Sequence, residues 1–185
     1  MGEVIQFSKL NSKIVYKEVS NTIEKSANDN RVNNNRLYVL IGIPCSGKST
    51  YANKLASKKS NTVVISTDEI RKELTGTYEF TSSSNKAVFD IAKKMISQVL
   101  ELGFKVVFDA TNTNKQHRKS IISIAKKANC KTVAIVFKTP IDLCLKRNSK
   151  RNFERRVPED VILSMSVFKG IDKTEGFDEV INIRC

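Results

Sequence analysis

Apolar residues form short, nearly continuous runs rich in Val, Ile and Phe, separated by longer and more polar segments. The runs are typical of strands buried on both faces. They predict five strands, at residues 37–41, 62–66, 105–109, 132–137 and 179–183. The longer segments predict five helices, at residues 48–57, 68–74, 85–102, 115–128 and 141–148. This alternation predicts an α/β three-layer sandwich with a central, mostly five-stranded parallel sheet.

The longest predicted helix has a recognisable apolar side and a recognisable end. Val88, Ile91 and Met95 recur three or four residues apart, so we expect them to form one apolar stripe. Gly103 follows the helix directly. Glycine readily adopts the left-handed conformation with which many helices end, so this residue predicts the helix terminus.

The first 36 residues differ in pattern from the rest of the chain. Residues 28–35 are rich in asparagine, which favours turns and linkers. We therefore predict an N-terminal extension at residues 1–36 and one main domain at residues 37–185. Within the extension, residues 7–14 have helical spacing while residues 13–19 alternate like a strand, so both interpretations stay open.

Composition limits the class of protein. With 40% hydrophobic and 28% charged residues, the chain is typical of a globular domain. It contains neither the roughly 20-residue apolar run of a membrane span nor a signal peptide, so we expect a soluble, cytoplasmic protein without a membrane partner. The cysteines lack paired spacing and are expected to be reduced thiols. They are Cys45, Cys130, Cys144 and Cys185.

The charge of the chain narrows the choice of partner. A formal net charge of +13 at pH 7 favours a polyanion such as RNA or DNA. Lysine-rich surfaces also occur on proteins that bind nothing acidic, so charge alone leaves both interpretations open.

The clearest motif directly follows the first predicted strand. Residues 42–49 read GIPCSGKS and fit the pattern G-x-x-x-x-G-K-[ST] of a P-loop. Such loops hold phosphates with backbone N–H groups, while the lysine reaches the β and γ oxygens and the serine ligates Mg²⁺. We therefore expect ATP and Mg²⁺ as cofactors, with Ser49 on the metal; a glycine-rich turn is the alternative. The expected ATP-binding residues of the loop are Gly42, Pro44, Cys45, Ser46, Gly47, Lys48 and Ser49.

Side chains that follow each parallel strand should share one cleft. Asp68 and Arg71 begin the helix after the second strand and lie three residues apart, on one face. Asp68 could accept the proton of an acceptor hydroxyl as a general base, and Arg71 could hold an acceptor phosphate. The alternative is that Asp68 caps the helix.

Asp109 ends the third predicted strand. An apolar strand that ends in an acid is the arrangement that holds the water shell of the metal in P-loop folds, so we expect Asp109 to bind water molecules around Mg²⁺. The alternative is that Asp109 caps a turn in which Thr111 and Asn112 are ordinary turn residues.

The densest basic stretch, residues 146–156, follows the fourth strand. Arg147 and Arg151 are four residues apart, so we expect them on one helix face, where they could form a catalytic lid over the transferring phosphoryl group. A solvated basic surface is the alternative. We expect the single histidine, His117, to be a surface residue without a partner.

Four stretches together resemble the polynucleotide 5′-kinases, including the kinase module of end-healing polynucleotide kinase-phosphatases. They are residues 42–50, 66–71, 109–112 with Arg118, and 146–151 leading to 157–162. The first stretch occurs in many unrelated nucleotide enzymes, whereas the arginine-rich lid followed by Val157 and Pro158 is more specific. The resemblance spans residues 37–183 and leaves the first 36 unmatched.

This resemblance implies a P-loop kinase fold with a helical basic lid and ATP-dependent phosphoryl transfer to the 5′-hydroxyl end of RNA or DNA. A kinase of a small-molecule alcohol and a non-catalytic, ATP-gated nucleic-acid-binding module are the alternatives. The implied roles are ATP-phosphate contacts from Lys48, Ser49 and Thr50, a general base at Asp68, lid arginines at Arg147 and Arg151, and acceptor contacts from Arg71, Thr111 and Asn112. The resemblance implies the role of Asp109 less directly, because the position of the acidic residue near Thr111 differs among such kinases.

Overall fold

The computed structural model describes residues 5–6, 35–168 and 170–184, and the two interpretations of residues 7–19 lie outside that part. Within these ranges one sheet contains six strands, all parallel, in the order β1-β3-β4-β2-β5-β6. The strands are β1 Ile5–Gln6, β2 Arg36–Ile41, β3 Thr62–Ser66, β4 Lys105–Asp109, β5 Lys131–Phe137 and β6 Glu179–Ile183.

Helices connect the strands on both faces of the sheet. The α-helices are α1 Lys48–Lys58, α2 Thr67–Thr75, α3 Ser82–Glu101, α4 Lys115–Lys127, α5 Ile141–Ser149 and α6 Glu159–Met165. The five predicted strands are confirmed to within one residue, and the α/β fold class with them. The short edge strand β1, which pairs with β3, was not predicted. The boundary near residue 36 stays a prediction.

The core lies on both faces of the sheet because successive residues of a strand point to opposite sides. In β2, Leu37, Val39 and Ile41 pack with residues of α3 and α4. Tyr38 and Leu40 pack on the opposite face with residues of α1. Every strand residue from Leu37 to Ile41 is buried, which explains the uninterrupted apolar run in the sequence.

Helix α3 corrects the predicted apolar stripe. It begins three residues earlier than predicted, at Ser82, where Thr81 and Ser84 form a capping box. Its buried face runs through Val88, Ala92, Ile96 and Val99, whereas Ile91 is 37% exposed and Met95 only partly buried. The predicted stripe is therefore confirmed at Val88 and in part at Met95 but wrong at Ile91, because the sheet-facing side passes through Ala92, four residues after Val88.

The predicted end of α3 is confirmed. Gly103 has φ 88°, and its N–H donates to the Leu100 carbonyl at 3.0 Å. The N–H of Phe104 donates to the Val99 carbonyl at 3.2 Å, which completes a Schellman motif.

Two further predictions concern the described residues only. The side chains of Cys45, Cys130 and Cys144 are buried, while Cys185 lies outside the described part, and the reduced state of the thiols stays a prediction. In that same part, no helix combines the length and the apolar character needed to cross a membrane.

Candidate active site

The P-loop, residues 42–49, joins β2 to α1 at the carboxyl edge of the sheet. The Gly42 N–H donates to the Thr111 carbonyl at 3.0 Å. A Cβ at Gly42 would lie 2.9 Å from Ser46 Oγ and 3.0 Å from Phe137 Cβ, so a larger residue would displace the loop. Gly47 has φ 100° and precedes the first turn of α1, whose N–H groups face an anion in P-loop folds.

Lys48 is buried at the floor of the cleft. Its ammonium group donates to the Ile43 carbonyl at 2.7 Å and to Ser46 Oγ at 3.4 Å. Burial lowers the pKa of Lys48, and the nearby carboxylates of Asp109 and Asp68 oppose that shift. Both predicted carboxylates therefore act on the same lysine, as a shared site requires.

Asp109 and Ser49 supply oxygen atoms suited to Mg²⁺. Burial raises the pKa of Asp109, while Lys48 and a hydrogen bond from the Ser49 hydroxyl oppose the rise. A hydroxyl and a carboxylate in contact form the hard oxygen donor set that Mg²⁺ prefers, so these residues fit the ion. The metal role of both residues stays a prediction.

One wall of the cleft, the acceptor wall, consists of α2 and the loop at residues 76–81. Ser66 caps α2, because its hydroxyl accepts the Glu69 N–H at 3.5 Å. The alternative role for Asp68 as the cap is therefore wrong. The Asp68 side chain is 63% exposed and accepts a hydrogen bond from Arg71 Nη1 at 2.9 Å.

Arg71 is buried behind this carboxylate. Its Nη2 donates to Asn85 Oδ1 of α3 at 3.3 Å, and its guanidinium carbon lies 5.9 Å from the Phe80 ring centroid. Its Nε is buried without a hydrogen-bond partner among the described residues. Two helices therefore hold Arg71 in place beside Asp68.

The opposite wall is the lid, residues 146–157. Arg147 lies above the P-loop, where its Nη1 donates to the Cys45 carbonyl at 3.4 Å. Helix α5 ends at Ser149, so the prediction that Arg147 and Arg151 share one helix face was wrong. Arg151 lies in the turn that follows, yet both arginines line the same cavity.

Asn148 joins the lid to the P-loop, a role that the sequence analysis missed. Its Oδ1 accepts the Val157 N–H at 3.0 Å and the Cys45 thiol at 3.5 Å, and its Nδ2 donates to the Val157 carbonyl at 2.7 Å. Thr139, which follows β5, also holds the P-loop, because its hydroxyl donates to the Ser46 carbonyl at 2.9 Å. Since the paired residues are far apart in the chain, no local pattern indicated them.

Charged side chains of the lid also reach across to the acceptor wall. Arg155 forms an ion pair with Glu69 and donates to the Tyr78 hydroxyl at 2.6 Å. Lys72 and Glu154 form a second ion pair at 3.5 Å. These contacts connect the two walls at one side of the cavity.

The loop after β4 is held from below by a buried ion pair. Arg118 donates to the carbonyls of Asn112 at 2.8 Å and Thr113 at 2.9 Å, and forms two 2.7 Å hydrogen bonds with Glu175. The Asn112 side chain is buried and donates to the Leu40 carbonyl at 2.8 Å. The structure therefore places Asn112 inside the loop and away from the cavity wall.

His117 is half-buried and not the partnerless surface residue expected. Its ring lies 4.4 Å from that of Phe89, centroid to centroid. Burial and nearby Lys93 lower its pKa, so the imidazole is neutral near pH 7.

Most predicted site residues line this one cavity. They are Pro44, Cys45, Gly47, Lys48, Ser49, Thr50, Asp68, Arg71, Asp109, Thr111, Arg147 and Arg151. Gly42, Ser46 and Asn112 do not line it, and instead support the loops that do.

Comparisons with known proteins agree with this architecture. The chain is 33% identical over 133 residues to the L-seryl-tRNA(Sec) kinase of Methanococcus maripaludis, a match that covers 70% of this chain and 50% of that kinase. A chain in the Pnkp1/Rnl/Hen1 RNA repair complex matches with a TM-score of 0.65 at 22% identity, covering 74% of this chain and 44% of its own. A putative kinase from Chloroflexus aurantiacus matches with a TM-score of 0.68 at 11% identity, and the match covers 83% of this chain and 87% of that kinase.

The two structural likenesses show a shared kinase fold, and the chain spans half the length of the seryl-tRNA kinase. A family model described as an AAA domain matches residues 37–167. Because this match covers more than half of the chain, the chain belongs to that AAA-domain family of P-loop kinases.

Proposed function

We propose that the protein transfers the γ-phosphoryl group of ATP to the 5′-hydroxyl end of RNA or DNA. The observation that carries the proposal is that one cavity holds the P-loop, the exposed carboxylate of Asp68 beside Arg71, and the lid arginines. A phosphate floor, a base and a cationic lid around one space are the parts that in-line phosphoryl transfer requires.

Asp68 has the accessibility that a general base requires. Its carboxylate would accept the proton of the acceptor hydroxyl as the oxygen forms its bond to the γ-phosphorus and the bond to the β–γ bridging oxygen breaks. ADP then leaves with that electron pair. A positioned base of this kind contributes about 10²- to 10⁴-fold to the rate.

Lys48, Arg147 and Arg151 would stabilise the charge that develops on the transferring group. Lys48 is held at the floor, and Arg147 already contacts the P-loop, so little reorganisation is needed during the reaction. Ser49 would hold Mg²⁺ and Asp109 would hold its water shell, and the bound ion would supply neutralisation of the phosphate charge. The cytoplasmic location stays a prediction, and a role in nucleic-acid repair is part of the present proposal.

Several observations support a nucleic-acid acceptor. Arg71 is held by Asp68 and Asn85 in a position from which it would contact an acceptor phosphate. The net charge of +13 favours a polyanion. The relative from Methanococcus maripaludis is named for a seryl-tRNA acceptor, and the Pnkp1 neighbour belongs to an RNA repair complex.

A kinase of a small alcohol is the second candidate. The cross-cleft contacts of Arg155 with Glu69 and of Lys72 with Glu154 favour it, because they narrow one side of the cavity as an enclosed small acceptor would need.

A transfer assay with radiolabelled ATP tests both candidates and the non-catalytic alternative. The acceptors are 5′-hydroxyl RNA and DNA oligonucleotides, nucleosides, nucleoside 3′-phosphates and simple sugars. We expect label on the oligonucleotides, and a nucleoside 3′-phosphate that outperforms its nucleoside through Arg71. Equal use of these two would contradict the Arg71 contact, label only on sugars would favour the small-alcohol kinase, and oligonucleotide binding without transfer would favour a binding module.

A further inference from the structure

Two exposed phenylalanines line the cavity on opposite walls. Phe80, in the loop of the acceptor wall, is 62% exposed, and Phe153, in the lid, is 83% exposed. Single exposed apolar residues are normal on protein surfaces. Two large exposed aromatic rings at one charged cavity indicate a binding site, because exposed apolar surface bordered by polar residues is typical of ligand-binding grooves.

The backbone beneath each ring is held in place. Phe80 directly precedes Thr81, which caps α3, and its ring lies 5.9 Å from the guanidinium carbon of Arg71. Phe153 begins the 3₁₀ helix Phe153–Arg155, whose other two residues form the ion pairs with the acceptor wall. Both rings are therefore presented to solvent from anchored segments.

The surroundings of the rings indicate what they bind. Arg71, Arg147, Arg151 and Arg156 line the same cavity. Aromatic faces combined with a positively charged groove are typical of proteins that bind single-stranded nucleic acid, where the cations track the phosphates and the rings stack on bases. A small neutral alcohol would use neither feature.

We propose that Phe80 and Phe153 are stacking platforms for nucleobases of a single-stranded acceptor, next to its 5′-hydroxyl end. This inference rests on the proposed function and deepens it by naming a single-stranded polynucleotide, bound with little base preference. Stacking tolerates any base because every base has a π-face.

The chain contains no tryptophan, so Phe80→Trp and Phe153→Trp each introduce a single fluorescent reporter. Each full-length variant is titrated with a 5′-hydroxyl oligonucleotide, and separately with an abasic oligonucleotide of equal length and charge. Val167→Trp is the matched control, because Val167 is 77% exposed but does not line the cavity.

We expect the base-containing oligonucleotide to quench both cavity reporters, and the abasic one to bind about 5- to 150-fold more weakly with little quenching. The Val167→Trp reporter should respond to neither. Equal affinity and equal quenching with the abasic oligonucleotide would overturn the proposal. Quenching by ATP alone, with no further change on adding oligonucleotide, would also overturn it, because the rings would then serve the donor base.

The transfer assay separates this proposal from the proposed function. In the Phe80→Ala, Phe153→Ala double variant, we expect a KM for the oligonucleotide raised at least about 5-fold while the KM for ATP is unchanged. Normal transfer with an unchanged oligonucleotide KM would overturn the platforms and leave the kinase intact. Base-dependent quenching without any transfer would support the platforms and contradict the kinase.

Discussion

The P-loop side of the cavity and the lid side are built from different interactions. Around the P-loop, Lys48 and the Ser46 carbonyl are held by buried hydrogen bonds, and Gly42 is bonded to the neighbouring strand-end loop. The lid meets the acceptor wall through side chains that are exposed or partly exposed, above all Arg155 with Glu69. Exposed ion pairs contribute only about 0–1 kcal/mol to stability. Breaking a buried hydrogen bond costs more, because it leaves a buried polar group without a partner.

This difference indicates that the donor site is preformed and that the acceptor side can open. Substrate-dependent closure of a lid is common in phosphoryl-transfer enzymes, because it excludes water and completes the site. The predictions below test the contrast, starting from the largest expected effect.

Asp68→Asn should lower kcat about 10²- to 10⁴-fold, because the amide cannot accept the acceptor proton. The KM for ATP should be unchanged, since the P-loop is left intact. Steady-state kinetics with an oligonucleotide acceptor measure both. Asp90→Asn is the control, an exposed carboxylate on α3 paired with Lys93, and should leave kcat unchanged. Intact activity in Asp68→Asn would remove the assignment of the base.

Arg118→Ala should lower the free energy of unfolding by about 3–5 kcal/mol, because it leaves Glu175 as a buried, unpaired charge. The same change releases the loop whose Thr111 carbonyl accepts the Gly42 N–H. Urea denaturation measures the loss, and exposed Lys119→Ala is the control. A change below about 1 kcal/mol would mean that the donor side is less dependent on buried contacts than the structure indicates.

Arg155→Ala should raise the KM for the acceptor by at most about 5-fold, because the ion pair with Glu69 is exposed. A double-mutant cycle with Glu69→Gln should give a coupling energy below about 1 kcal/mol that decreases as salt is added. A coupling of several kcal/mol, insensitive to salt, would show that the lid is locked and not free to open.

Cys45 provides the mildest test of the preformed P-loop. Burial raises the pKa of its thiol, against the opposing effect of nearby Arg151 and Lys48. The thiolate therefore forms at higher pH in the folded protein than in the denatured chain, and alkylation of Cys45 should follow with a higher midpoint. Mass spectrometry of the alkylated peptide measures this midpoint.

Measuring the alkylation midpoint of Cys45 in the Arg155→Ala variant compares the P-loop side of the cavity with the lid side. Arg155→Ala should leave the alkylation midpoint of Cys45 unchanged if the P-loop is independent of the exposed lid contacts. A midpoint that falls to that of the denatured chain would show that lid and P-loop open together.

The strands and helices could be predicted from the sequence because each depends mainly on residues that are close together in the chain. Strand β3 and strand β4 were predicted with their observed bounds, since strands buried on both faces are continuously apolar. The start of α3 was missed because Thr81 and Ser84 cap the helix in a segment without apolar periodicity. The apolar side of that helix was misplaced because Ala92 gives a weak hydrophobic signal.

The candidate site could be predicted only in part from the sequence. Asp68 and Arg71 were predicted together because they lie on one helix turn, and their ion pair is observed. Arg151 was placed on a helix that ends before it. Asn148 and Glu175 were not identified, because their partners are set by side-chain geometry and not by spacing.

The sequence by itself determined the alternation of strands and helices, the P-loop, and which polar residues follow the strands, because these follow from local periodicity and the chemistry of short motifs. The tertiary structure alone decided which of these residues line the cavity and which support its loops. It turned the Asn112 side chain away from the cavity, placed Arg118 against the carbonyls of the same loop, and brought Phe80 and Phe153 to one cavity. Such pairings depend on packing between residues distant in the chain, which no local pattern encodes.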